Sequence, residues 1–144
     1  MLLIQIEDLY SRIYEEAVDE ITRENEALAQ RAINAAISEA KMFLSRYDVA
    51  ALFGTADTDP TVQDDFLKNI VIDIAVWRLV LLCNVGIDYD RTERCYEMTI
   101  RNLRDIQKGN ANPDGWPYRD TTGQTAPQGS SVDASYNKKR GNDF

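Results

Sequence analysis

Carboxylates are the side chains this sequence holds in quantity for doing chemistry: 24 Asp and Glu in 144 residues, beside no histidine at all. A general base would have to be an acid, since the commonest one is absent, and Ser-His-Asp and Cys-His arrangements are excluded with it. The acid pairs lie at the ends of helical patterns and read as solvated faces. The stretch "DTDPTVQDD" at 57–65 has the density of a calcium loop but lacks the central Gly and closing Glu that such a loop needs. Cys83 and Cys95 form no CxxC pair, so without His a zinc site is not expected, and both read as free buried thiols. The seven glycines are scattered, four of them after residue 109, and build no phosphate loop. No catalytic residue, cofactor site or metal site is therefore expected, and the chain does not read as an enzyme.

Two charges stand apart. Asp73 and Arg78 lie within "IVIDIAVWRLVLLC", a 14-residue apolar run. On a helix, positions five apart point roughly 140° away from each other, so the two cannot pair directly. Each must find a partner on another helix or another subunit, as a structural ion pair. The run is too short and too charged to cross a bilayer, which needs about 20 apolar residues. It reads as a buried helix. The opening "MLLIQIEDLY" has no basic region or apolar core of a secretory signal.

The elements that position these residues are all helical in pattern, with no two-residue alternation. Residues 7 to about 22 place Leu9, Tyr10, Ile13, Ala17, Val18 and Ile21 on one stripe. A second helix, from Asn25 to about Tyr47, carries Ala29, Ala32, Ile33, Ala36, Ala40, Phe43, Leu44 and Tyr47; its alanines suit close helix packing. "DVAALFGTADTDP" breaks the pattern and reads as a loop with room for a short helical turn. Asp59 and Pro60 give a start signal for the next helix, which runs to about Asn84 and is apolar nearly all round. Asp90, with Glu93 three residues on, is expected to cap a last helix with Tyr89, Thr92, Tyr96, Thr99, Leu103 and Ile106 inward. Gly109 ends it. The expected fold is all-α, a compact bundle of four to five helices, because the connections are short.

Composition divides the chain at residue 109. Residues 110–144 hold one Val and no Leu or Ile, too little apolar surface to fold alone. Residues 1–109 carry the whole net charge of −8, with twelve basic against twenty acidic residues. That body repels nucleic-acid phosphates and suits a basic protein partner, or simply solubility. Two units are expected: a helical domain, 1–109, and an extended polar C-terminal arm, 110–144. The arm's candidate partner-binding residues are the aromatics Trp116, Tyr118, Tyr136 and Phe144, which bury large areas with few rotors, and the basic Arg119, Lys138, Lys139 and Arg140.

"DIAVWRLVLL" (73–82) followed by "RTERCYEMTIRNLRDIQKGN" (91–110) resembles the Mu-like prophage family of small helical head–tail connector, or adaptor, proteins of tailed bacteriophages. Asp73, Ala75, Arg78 and Leu79 fit that family's Asp-x-Ala-x-x-Arg-Leu helix. Tyr96, Leu103, Ile106, Lys108 and Gly109 fit its second pattern, with Thr99 where the family tends to have Ala. "IQIEDLYSRI" and "ALAQRAINAAISEAKMFLSRY" are similar to its first and second helices. The likeness covers residues 3 to about 110. "DVAALFGTADTDP" replaces a Pro-rich stretch, and the arm is longer than usual. The resemblance implies a virion protein at the head–tail junction. Its copies would form a ring, a dodecamer, that docks on the portal, extends the DNA channel and meets tail or further connector proteins. DNA would be passing cargo, and no membrane is involved. The alternative from another class is a cytosolic helical adaptor that binds one protein partner through its arm.

Overall fold

The computed structural model describes residues 3–23, 25–82 and 89–120. They form an all-α bundle: a 3-10 helix at Ile6–Ser11, then α1 (Glu15–Thr22), α2 (Glu26–Phe43), α3 (Val49–Phe53), α4 (Asp65–Val80) and α5 (Tyr89–Lys108). Among the described residues the only β feature is an isolated antiparallel bridge, Tyr47 to Tyr118.

The first expected helix is two. Asp8 accepts the Gln5 N–H at 2.7 Å and the Ser11 hydroxyl donates to the Asp8 carbonyl at 2.9 Å, which ties the backbone into a tight local turn. The chain bends at 12–14, so Ile13 is buried while Tyr14 is 83% exposed. Arg23, in the left-handed region at φ 54°, ends α1.

Asn25 caps α2 by accepting the Ala27 N–H at 3.1 Å. Four of its six buried residues are alanines (Ala29, Ala32, Ala36, Ala40), and α4 makes its most extensive contact here. Small side chains let the two axes approach closely. The helix stops at Phe43, short of Tyr47, but Leu44 and Tyr47 stay in the core beyond it.

α4 is capped by Asp64, not by Asp59. The intervening residues make a return instead: the Thr61 and Val62 N–H groups both bond the Ala51 carbonyl, at 3.0 and 3.1 Å. The Pro60 ring lies against Gly54, where an added Cβ would stand 2.9 Å from its Cδ. Asp64 then accepts the Phe66 N–H at 2.9 Å and α4 starts. It buries nine residues between Leu67 and Val80, as befits the bundle's centre, each aliphatic worth about 1.5–3 kcal/mol. Leu81 and Leu82, expected within this helix, lie after it and are exposed.

α5 already includes Tyr89, so Asp90 sits in its first turn, beside the positive end of the dipole, rather than capping it. Only Thr99, Leu103 and Ile106 of its expected stripe are buried; Tyr96 is half-buried and Tyr89 exposed. Cys95 is a free, half-buried thiol, and Cys83 lies outside the described residues. The helix closes in a Schellman arrangement: Gly109, at φ +84°, donates to the Ile106 carbonyl at 3.1 Å, and the Asn110 N–H to the Asp105 carbonyl at 2.9 Å. Among the described residues no helix is long and apolar enough to cross a membrane.

Candidate interaction sites

Two constellations gather the residues singled out by the sequence. The first is a charged girdle around α4. Asp73 Oδ1 accepts from Arg12 Nε at 2.7 Å, and Oδ2 accepts from the Thr99 hydroxyl at 3.2 Å. One carboxylate therefore joins α4 to the bend after the 3-10 helix and to α5. Arg78 pairs with Glu39 of α2, whose other oxygen accepts from the Tyr96 hydroxyl at 2.8 Å. Burial first, then this hydrogen bond, pushes the Tyr96 hydroxyl above its usual 10.0. Trp77 fills the space beside it, stacked on Tyr96 at 5.7 Å and edge-on to Tyr89 at 5.1 Å. Neither charge pairs with the other.

The second constellation is an aromatic dock. The Tyr47 ring has Trp116 edge-on at 5.5 Å and Tyr118 stacked at 5.2 Å, with the Arg46 guanidinium 5.8 Å from its centroid. Trp116 also lies 6.4 Å from Phe66, and its indole N–H donates to Asp64, the residue that caps α4. Backbone bonds fasten the stretch on both sides: Asp48 N–H to the Pro117 carbonyl at 2.9 Å, and Arg119 N–H to the Arg46 carbonyl at 2.9 Å. Burial, then the neighbouring Tyr118, raises the Tyr47 hydroxyl above its usual 10.0, and that oxygen makes no hydrogen bond of good geometry.

The dock changes the meaning of three candidate partner-binding residues. Trp116 is 5% exposed and belongs to the chain's own core, so its ring is not free to anchor a partner. Its position soon after the Gly109 turn sets it down on the nearest aromatic surface. Tyr118 gives one face to Tyr47 and remains 62% exposed, and Arg119 is held through its backbone. Tyr136, Lys138, Lys139, Arg140 and Phe144 lie outside the described residues.

Sequence reasoning missed Arg12, Glu39, Asp64 and Tyr47. Asp73 and Arg78 announced themselves as charges in an apolar run, but their partners are ordinary surface letters 61 and 39 positions away. One signal was available: Thr99 stands where the resembled family tends to have Ala, and its hydroxyl is what reaches Asp73.

A small all-α bundle whose residues after α5 fold back onto its own aromatic surface is the class that fold and sites define. The chain matches the family described as bacteriophage Mu, Gp36 over residues 4–132, and it belongs to that family. The match takes in the docked stretch and continues beyond residue 110, where the motif likeness stops. No curated protein and no solved structure matches the chain.

Proposed function

We propose that this phage protein is structural rather than catalytic: a head–tail connector whose copies form a ring, dock on the portal and extend the DNA channel towards the tail. The observation that carries the reading is membership of the bacteriophage Mu, Gp36 family across both the helical body and the root of the arm. Two physical features support it. The body's net charge of −8 makes a wall that duplex DNA passes without sticking, since counterion release needs basic side chains. The girdle and the dock pin every long helix to α4, giving a stiff block suited to repetition around an axis.

Native mass spectrometry of the chain, alone and mixed with the portal protein of its phage, tests this. The expected result is a closed homo-oligomer that associates with portal, and ring particles by electron microscopy. A monomer that stays monomeric beside portal overturns the proposal.

A further inference from the structure

A groove of about 470 Å³ opens beside the aromatic dock, between the first turn of α4, the last turns of α5 and the turn that starts the arm. Its apolar floor is Phe66, Ile106 and Pro113, and Phe66 is 42% exposed there, a large ring left half in water. Its rim carries Asp64, Asp105 and Asp114 and no basic residue. Asp64 is already engaged by the Phe66 N–H and the Trp116 indole. Asp105 and Asp114 make no salt bridge among the described residues. An apolar floor under unneutralised carboxylates selects an occupant with an aromatic ring close to several cations.

The chain contains one such segment. Lys138, Lys139 and Arg140 are its only run of adjacent basic residues, and Tyr136 stands two positions before them. The tether from Asp120 to Tyr136 is rich in Thr, Gly, Ser and Gln, without Leu or Ile. A Gly/Ser-type chain of that length has a root-mean-square span of roughly 20–24 Å and an extended one reaches about 55 Å. It starts at Asp120, beside Lys41, Ser45 and Arg119, six residues beyond the Asp114 of the groove's rim. Tethering at this length supplies an effective concentration on the order of mM, so a contact too weak between separate molecules is populated within one.

We propose that this groove is the docking site of the chain's own segment 136–140, with the Tyr136 ring over Phe66 and Pro113 and the basic side chains on Asp105 and Asp114. A basic, aromatic segment of another protein would have to displace it to use the same surface. The proposal concerns the single chain and stands independently of ring formation.

The test uses the full chain as an equal mixture of natural-abundance and 15N-labelled protein, treated with a zero-length carbodiimide cross-linker and read by mass spectrometry. The expected products join Lys138 or Lys139 to Asp105 or Asp114, within one isotope only. Asp105→Asn with Asp114→Asn should cut the yield of any cross-link from these lysines at least tenfold, with the circular dichroism unchanged. Adding 0.5 M salt should lower the wild-type yield several-fold, because exposed charge pairs are screened. Cross-links of mixed isotope, which would place the segment in a second copy's groove, overturn the proposal. So do lysine products mainly on the acids of α1, or a yield that the double substitution leaves intact.

Discussion

Two regions hold α4 to the rest of the molecule, and they do so with opposite chemistry. At the girdle, each ion pair joins a half-exposed arginine to a mostly buried carboxylate: the Arg12 side chain is 34% exposed against 14% for Asp73, and that of Arg78 40% against 13% for Glu39. At the dock, Asp64 at the start of α4 takes the indole of a Trp that is nearly sealed from water, beside a Tyr equally buried. Such pairs return little net free energy, because water competes for the arginine and the buried carboxylate has been desolvated. Their value lies in geometry, since a carboxylate with two fixed donors permits one rotation of α4 against α5. The buried rings contribute area, and area is where stabilisation is large. The girdle therefore sets the register and the dock supplies the adhesion.

Breaking the dock should have the largest effect. Trp116→Ala empties a packed site and is expected to cost about 3–5 kcal/mol in urea denaturation. A loss below 1 kcal/mol would mean that the docked stretch adds nothing to the body. Next comes Arg12→Ala, which leaves the mostly buried Asp73 carboxylate with only Thr99; about 1–3 kcal/mol is expected by the same measurement. Asp73→Asn in that background should recover part of it, since the leftover group is then neutral. Tyr96→Phe removes one hydrogen bond to Glu39 and should cost about 0.5–1.5 kcal/mol.

The smallest effect has the opposite sign. Tyr47→Phe deletes a buried hydroxyl that makes no hydrogen bond of good geometry, so it should be neutral or stabilising by up to about 1 kcal/mol; a loss of more than about 1 kcal/mol would give the oxygen a role, through Arg46 or Tyr118. The same substitution sharpens a pH test. Tyr47 and Tyr96 hold their protons more tightly folded than unfolded, both being raised above 10.0. Their contribution is whole below about pH 10 and is lost as the pH climbs past it through the folded values. Stability measured from pH 9 to 11.5 should fall, and less steeply in Tyr47→Phe.

What the sequence made legible follows the same division. The alanine face of α2 and the all-round apolarity of α4 are periodic, and periodicity survives reading one residue at a time. Caps are less legible. Asp59 before Pro60 is as good a start signal as Asp64, and what decides between them is the Ala51 carbonyl, which draws in Thr61 and Val62 from another element. The dock is the least legible. A lone Trp in a polar stretch has no period, and its partner Tyr47 looks like the last residue of a helix that in fact ends at Phe43. The girdle lies between: its inner charges are visible from the apolar run around them, its outer partners only once the helices are packed.

Arg46 has a consequence beyond the dock. Its guanidinium donates to the Ile106 carbonyl at 2.8 Å, and its own carbonyl accepts from the Arg119 N–H at 2.9 Å. One residue thus grips the chain on both sides of the turn that links α5 to the arm, as a buckle holds a strap. The slack between the two grips can change length without moving the point from which residue 120 departs. Doubling a flexible loop costs only about 0.6 kcal/mol in closure entropy. Insertions between Ala111 and Gly115 should therefore be tolerated, with residue 120 held in the same place.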